Sequence, residues 1–237
     1  MTNTSSGTSI PPFWPPGFKV NPRAESPNAD LIMAFSNVPV AVVGDCLGRS
    51  IGAIGLNPYH GSIGLKLCGP AFTVRVRPGD NLMIHKALTM AAPGDVIVVD
   101  GGGDLTQALI GGLIRTSALT SKLGGFVING AIRDLAEWAE GVIPVFARGH
   151  THRGPSKDGP GEINVPISCA SLVVNPGDLV LGDSDGVIAI PVAELAALLP
   201  AVLAHLKKEE NIRATNSVGA SDPERFNSIM RSKGCPV

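Results

Sequence analysis

Two adjacent residues of opposite charge, Arg133 and Asp134, are the first candidates for chemistry in this sequence. An arginine guanidinium can hold a carboxylate through two parallel hydrogen bonds, and an aspartate can bind a hard divalent cation through oxygen. The pair could therefore fix an anionic oxo-acid against a metal ion. The dipeptide alone is explained more simply by a surface arginine and an aspartate that caps a helix over residues 135–140.

Gly111 and Gly112 offer a second candidate, a binding site made of backbone. If a helix begins at this pair, the free N–H groups of Gly111, Gly112, Leu113 and Ile114 form a positively polarised nest that receives a carboxylate. If a helix runs through the pair, the two glycines mark a costly close-packing seam. Spacing alone leaves both alternatives open.

Two glycine-rich stretches do not support a bound nucleotide. Residues 100–104 read Asp-Gly-Gly-Gly-Asp, but a dinucleotide-binding loop would need glycine at Thr106. Residues 125–130 mimic the start of a phosphate-binding loop, but Ala131 and Ile132 replace the lysine and hydroxyl residue that would hold phosphate and magnesium. Neither NAD nor ATP is therefore predicted.

His150 and His152 could be two metal ligands. Arg148 and Arg153 would repel a cation, and residues 154–161 have the composition of a loop. A surface role for both histidines is therefore favoured.

The elements that must position these residues alternate between strands and helices. Short apolar runs and alternating patterns predict strands, and apolar residues at helical spacing predict helices. The predicted strands are residues 72–77, 96–99, 126–128, 142–146, 179–181 and 187–190, with one face of the first exposed to water. The predicted helices are residues 81–90, 105–119, 134–140 and 192–213.

The order of residues 96–99, 105–119 and 126–128 is a strand–helix–strand unit, which predicts a parallel pair of strands. The predicted fold class is therefore a layered α/β domain. Open α/β sheets bind ligands at the carboxyl ends of their strands, so the loops that follow residues 99 and 128 are the expected site.

Composition limits the class of protein. The formal net charge is −1 and aromatic residues make up 4% of the chain. A protein that binds nucleic acid needs a basic surface and usually aromatic side chains on which bases stack, so nucleic acid is not an expected partner. The four cysteines lack metal-site spacing and favour reduced thiols. We find neither an apolar run long enough to span a membrane nor a signal-peptide pattern, so a cytoplasmic protein with no membrane partner is expected.

Residues 1–30 contain many prolines among serine, threonine and asparagine, a composition that resists both helix and central strand. We expect a Pro-rich N-terminal arm over residues 1–30 and a single domain over residues 31–237 that ends in a helix. Phe13, Trp14 and Phe18 predict that the arm docks on this chain or on a neighbour.

Several motifs occur in a fixed order between about residues 35 and 195. They are Asp-Gly-Gly-Gly-Asp at 100–104, Gly-Gly-Leu-Ile at 111–114, Gly-Phe-Val-Ile-Asn-Gly-Ala-Ile-Arg-Asp at 125–134, Pro-Val-Phe-Ala-Arg at 144–148, Arg-Gly-Pro at 153–155, Asn-Pro-Gly-Asp at 175–178 and Asp-Ser-Asp-Gly-Val at 183–187. In these motifs the sequence resembles the RraA-like family, which includes class II 4-hydroxy-4-methyl-2-oxoglutarate aldolases and regulators of RNA degradation. The resemblance implies a β/β/α swivelling-domain fold, assembled as a homotrimer or homohexamer with active sites between subunits.

The resemblance also implies a divalent-metal-dependent lyase, in which Mg²⁺ or Mn²⁺ holds pyruvate and stabilises its enolate during aldol cleavage or oxaloacetate decarboxylation. By motif, Arg133 and Asp134 are the catalytic residues: Arg133 binds the oxo-acid and Asp134 is the metal ligand. The backbone of residues 111–114 receives the substrate carboxylate. An acid from a neighbour's C-terminal helix approaches the metal in the family, and Glu209 is the candidate, with a solvated helix face as the simpler alternative.

One position departs from the family pattern. Aldolase-competent members carry an acid twenty-one positions before the arginine, where this chain has Gly112. A positioned acid–base group contributes about 10²–10⁴-fold in rate, so the sequence predicts impaired aldol cleavage, less affected decarboxylation and faster aldol cleavage in Gly112→Asp. Asp100, Asp104 or a neighbour's Glu209 could substitute. The glycine favours an alternative function as a non-catalytic protein-binding regulator, whereas the retained Arg133–Asp134 pair disfavours it.

Overall fold

The computed structural model describes residues 15, 17–219 and 222–237. Its strands are β1 (Lys19–Val20), β2 (Asn57–Pro58), β3 (Leu67–Val76), β4 (Val96–Asp100), β5 (Ala108–Ile110), β6 (Gly125–Ile132), β7 (Val145–His150), β8 (Gly161–Ile163), β9 (Ile167–Cys169), β10 (Leu172–Val174), β11 (Leu179–Asp183) and β12 (Gly186–Ile190). Its helices are α1 (Ala29–Phe35), α2 (Val40–Cys46), α3 (Leu82–Leu88), α4 (Gly112–Thr120), α5 (Leu135–Trp138), α6 (Leu195–Ser217) and α7 (Glu224–Ser232).

The centre of the fold is a sheet in the order β1-β8-β3-β4-β6-β7-β2, in which β3, β4, β6 and β7 run parallel to one another. Helix α4 connects β4 to β6, so the predicted strand–helix–strand unit is confirmed. The prediction of one helix over residues 105–119 is wrong in its first half. Residues 108–110 form β5 beside the end of β6, because a short apolar run that is fully buried has no period that distinguishes strand from helix.

Alternate side chains of the parallel strands enter two different cores. On β4, Ile97 and Val99 pack against α3, α4 and α5, whereas Val96 and Val98 pack against β9, β10 and the β11–β12 hairpin. The strand is apolar at successive positions because both of its faces are covered. The opposite face of the hairpin packs on α1, α2 and α6. Helices on one face and a second β layer on the other confirm the predicted β/β/α arrangement.

The prediction that one face of residues 72–77 is exposed to water is wrong. Thr73 is fully buried and donates its hydroxyl to the Val165 carbonyl oxygen at 2.7 Å. Arg75 forms an ion pair with Glu162 at 2.5 Å. Thr73 and Arg75 of β3 therefore contact the segment that carries β8 and β9.

The described part of the N-terminal arm docks on its own chain. Strand β1 pairs in parallel with β8, and Arg23 donates two hydrogen bonds to Asp95, at 2.7 and 2.5 Å. Phe13 and Trp14 lie outside the described residues, and α1 begins at Ala29, within the last residues of the predicted arm.

No single helix of the described chain has the length and apolar composition of a membrane span. Helices α1 and α2 have this length and composition only when they are taken together, and the pair is bent by 105°.

Candidate active site

Arg133 and Asp134 follow β6 directly at its carboxyl end, which is the edge where the sequence places the site. Asp134 has φ 59° and ψ 44°, a left-handed conformation that is uncommon for a residue with a side chain. Two hydrogen bonds hold Arg133: its N–H donates to the Ile110 carbonyl at 3.0 Å, and its own carbonyl accepts from the Trp138 indole at 3.0 Å. The surrounding structure thus fixes an unusual backbone geometry at the predicted functional pair.

The Gly111–Gly112 pair lies directly against these two side chains. Helix α4 begins at Gly112, which settles the alternatives for this pair in favour of a helix start. The Gly112 N–H donates to Asp134 Oδ2 at 2.8 Å. A Cβ at position 111 would lie 2.4 Å from Asp134 Oδ2 and 2.9 Å from Arg133 Cγ, so only glycine permits this close approach.

Arg133 lines a cavity of about 100 Å³, which we call the arginine cavity. Gly111, Leu113 and Ile114 line it as well, so the structure brings these predicted substrate-binding residues together around the guanidinium. Gly112 belongs to the same turn, but its N–H is already occupied by Asp134.

Sequence reasoning missed other residues of the arginine cavity: Asn81, His85 and Lys157. Asn81 is buried, its amide nitrogen donates to the Leu109 carbonyl at 2.9 Å, and its amide oxygen has no partner among the described residues. Burial lowers the pKa of His85, and the positive charge of Lys157 lowers it further. The pattern of a helix and the composition of a loop carry no signal that these side chains converge.

Asp80 holds the loop that delivers Lys157 to the cavity. Its Oδ2 accepts hydrogen bonds from the Ser156 hydroxyl at 2.7 Å, the Asp158 N–H at 2.6 Å and the Gly159 N–H at 3.0 Å. Burial by itself would raise the pKa of Asp80, but these hydrogen bonds reverse that effect and lower it. Asp80 is therefore a buried anion that positions one wall of the site.

Asp134 lines a second cavity of about 280 Å³ together with Arg133, His150 and His152, which we call the aspartate cavity. The Asp134 side chain is 39% exposed, and its Oδ2 lies 3.5 Å from Arg133 Nε. Its other oxygen makes no hydrogen bond within the described residues, which suits a carboxylate that gives one oxygen to Mg²⁺ or Mn²⁺ while water supplies other ligands. Both histidines are exposed, as expected, and they border this cavity.

Glu137 occupies the space that a side chain at position 112 would take. A Cβ built on Gly112 would lie 2.3 Å from both Glu137 carboxylate oxygens. The expectation that Gly112 is a vacant acid position therefore needs qualification. An aspartate introduced there must first displace another carboxylate.

Glu209 lies elsewhere in this chain, within an ion-pair network of α2 and α6. Asp45, His205 and Glu209 have ligand atoms within 4.8 Å of one another, and the described chain holds no second group of this kind. Arg49 contacts Asp45 at 3.0 Å and Arg213 contacts Glu209 at 3.1 Å. These arginines already balance the carboxylates, so the group is explained as an ion-pair network.

Taken together, the chain is a layered α/β protein with basic side chains and an accessible carboxylate, that of Asp134, at the carboxyl end of a parallel strand. The profile of the RraA-like family, described as Aldolase/RraA, matches residues 40–189. The chain belongs to this family.

Relatives with this similarity include two proteins named as aldolases and one named as a member of a ribonuclease inhibitor family. A Halalkalibacterium halodurans protein provisionally named 4-hydroxy-4-methyl-2-oxoglutarate aldolase is 42% identical over 163 residues, which is 68% of this chain and 77% of that protein. The Thermus thermophilus 4-hydroxy-4-methyl-2-oxoglutarate aldolase is 36% identical over 126 residues, covering 53% of this chain and 76% of that protein. The crystal structure of Streptomyces coelicolor RraAS2, described as an unusual member of the RNase ES inhibitor RraA family, superposes with a TM-score of 0.73 at 26% identity, covering 80% and 98% of the two chains.

Proposed function

We propose that this protein is a divalent-metal-dependent carbon–carbon lyase acting on a small oxo-dicarboxylic acid, as a 4-hydroxy-4-methyl-2-oxoglutarate aldolase, an oxaloacetate decarboxylase or both. One observation carries the proposal. Arg133 and Asp134, of opposite charge, line the same cavity beside the backbone of Gly111 and Gly112. The aldolase names of two relatives support the class of reaction.

The arginine cavity suits an anionic substrate. Its described lining contains the side chains of Arg133, His85 and Lys157 and no carboxylate. The guanidinium can bind a carboxylate through two hydrogen bonds, and Lys157 adds a positive charge on the loop held by Asp80. A substrate with two carboxylates would match these cationic groups better than an uncharged ketone.

Cleavage of the carbon–carbon bond next to a ketone leaves its electron pair on an enolate. Arg133 would offset that developing negative charge, because its guanidinium already lies in the wall of the cavity before the reaction begins. Asp134 would hold Mg²⁺ or Mn²⁺, and the ion when bound supplies a Lewis acid. The hydrogen bond from Gly112 keeps the Asp134 carboxylate oriented, so the chain provides a positioned ligand without a further conformational change.

We also propose that the protein assembles as a homotrimer or homohexamer in which a neighbour completes the site. Leu113, on the first turn of α4 beside the arginine cavity, is 81% exposed. An apolar side chain in that position suits contact with another copy. Glu209 of that copy remains the predicted acid.

The experiment is a coupled pyruvate-release assay with oxaloacetate and with 4-hydroxy-4-methyl-2-oxoglutarate. We expect Mg²⁺-dependent pyruvate release that a chelator abolishes and that Arg133→Ala lowers by at least about 100-fold, the cost of losing a fixed charge-stabilising donor. Arg231→Ala on α7 is the control, because Arg231 pairs with Glu224 on the same helix. Activity that survives both chelator and Arg133→Ala would refute the proposal.

The second candidate function is that of a non-catalytic regulator that binds another protein. The similarity to RraAS2, named in connection with a ribonuclease inhibitor family, favours it. Folded protein that releases no pyruvate from either substrate with Mg²⁺ or Mn²⁺ would support this alternative.

A further inference from the structure

The carboxylate of Glu137 lies beside the candidate site and has no partner there. Its two oxygens fill the position of an absent side chain at Gly112, and the neighbouring residues Gly111 and Leu113 both line the arginine cavity. Within the described residues, this carboxylate makes no hydrogen bond or ion pair. It is an available proton acceptor next to the residues that would bind substrate.

The orientation of Glu137 is not explained by its own helix. Asp134 immediately precedes α5 and Glu137 is its third residue. At this spacing, each of the two side chains often accepts a hydrogen bond from the backbone N–H of the other residue and so caps the helix. Neither does so here. Asp134 accepts from the Gly112 N–H at the start of α4, and the Glu137 carboxylate lies over the same glycine, so both carboxylates lie at the start of α4 and neither caps α5.

The other nearby acids are already engaged. Asp104 accepts hydrogen bonds from the Thr106 hydroxyl at 2.8 Å and from its N–H at 3.2 Å. Asp100 lies 3.7 Å from Arg75 Nε and accepts from the Gly102 N–H at 3.2 Å. Each is thus held in a contact of its own, whereas the Glu137 carboxylate has no hydrogen bond or ion pair within the described residues.

We propose that Glu137 is the acid–base group of this site, a proposal that rests on the lyase function above. In the aldol direction, its carboxylate removes a proton from carbon 3 of pyruvate, and the electron pair of the broken C–H bond forms the enolate. The resulting carboxylic acid returns a proton to carbon 3 in the reverse step. Proton, electron pair and charge are then all accounted for without a further reactant.

Proton exchange separates this role from the rest of catalysis. In D₂O, the wild-type protein with Mg²⁺ and pyruvate should replace the methyl protons with deuterium, which ¹H NMR follows. We expect Glu137→Gln to slow this exchange by about 10²–10⁴-fold. Decarboxylation of oxaloacetate should fall by a clearly smaller factor, because the departure of CO₂ forms the enolate without removing a proton.

Two further variants distinguish a catalytic role from a structural one. In Glu137→Ala, the space at Gly112 is open. Adding Gly112→Asp to this variant should raise its proton exchange rate at least about tenfold, because the new aspartate supplies a carboxylate from α4. Glu140→Gln is the matched control: Glu140 lies two residues beyond the end of α5 and contacts Arg115 at 2.5 Å, so the proton exchange rate of this variant should match wild type. Mn²⁺ affinity measured by electron paramagnetic resonance should be retained in Glu137→Gln.

The outcomes are distinct. Wild-type exchange in Glu137→Gln, or equal losses of exchange and decarboxylation, would overturn the proposal for Glu137 and leave the lyase function standing. A large loss of Mn²⁺ affinity would show that Glu137 holds the metal instead, which also overturns it. A wild-type protein with neither exchange nor decarboxylation would refute the lyase function, and the assignment of Glu137 with it.

Discussion

Adding one methyl group at Gly111 should disable the site and leave the fold intact. Gly111 has φ −159°, an extended conformation open to alanine, so Gly111→Ala introduces no backbone strain. Its Cβ would lie 2.4 Å from Asp134 Oδ2, whereas ordinary contact begins at 3.4 Å, so the carboxylate must retreat by about 1 Å. The 2.8 Å hydrogen bond from Gly112 then breaks.

A hydrogen bond to a charged group contributes about 1.5–3 kcal/mol. If that energy orients Asp134 for the cation, Mn²⁺ affinity should fall about 10- to 150-fold in Gly111→Ala. Displacement of Arg133, whose Cγ would lie 2.9 Å from the new Cβ, should lower pyruvate release further. Mn²⁺ titration by electron paramagnetic resonance, the coupled assay and thermal unfolding measure these effects.

The matched control is Gly44→Ala in the interior of α2, where nothing lies within 4 Å of the added Cβ. It should leave Mn²⁺ affinity and turnover unchanged and stabilise the protein by about 0.5–1 kcal/mol, because alanine favours a helix. A folded Gly111→Ala protein with the Mn²⁺ affinity and turnover of wild type would refute the claim that this close approach positions Asp134.

Three further predictions concern stability and reactivity. Arg23→Ala should lower the free energy of unfolding in urea by about 1–3 kcal/mol, because it leaves the buried Asp95 carboxylate without its charged donor; no change would show that the N-terminal arm does not stabilise the domain. The folded-state pKa of Asp80 lies below its ordinary value of 3.8, so the ionised carboxylate stabilises the folded protein. The difference in free energy of unfolding between wild type and Asp80→Asn should therefore be complete at neutral pH and shrink as the pH falls below about 4. An undiminished difference at pH 2 would contradict this pH dependence. Burial raises the pKa of Cys68 to about 11 and that of Cys169 to about 12, so both thiols should resist a disulfide reagent at pH 8 until urea unfolds the protein, and rapid reaction of Cys169 in the folded state would be inconsistent with its burial.

The sequence was informative wherever a signal is local. The apolar run of β4 predicted a strand covered on both faces. The loop predicted after residue 128 contained Arg133 and Asp134, which do lie at the carboxyl end of β6, although that strand continues to Ile132. Alternation shows which residues share a face of a strand, and it predicted that the face of Thr73 is exposed. Thr73 is buried because a segment about ninety positions away in the chain covers it.

The supporting contacts of the site could not be predicted, because they join residues distant in the chain. Asp80 binds the loop that carries Lys157 across 76 to 79 positions. The position of Glu137 depends on how α5 packs against the start of α4, and no spacing rule encodes that distance. The absence of an acid at Gly112 was visible in the sequence, but the carboxylate that fills the space was not.

The central claim is that Asp134 holds a divalent cation beside an oxo-acid bound by Arg133. A crystal structure of the protein with Mn²⁺ and pyruvate, recorded with anomalous scattering from manganese, tests it most directly. We predict an anomalous peak about 2.0–2.6 Å from an Asp134 carboxylate oxygen and the pyruvate carboxylate within hydrogen-bonding distance of Arg133. Manganese bound only at other residues, with the Asp134 carboxylate free of metal, would contradict the account.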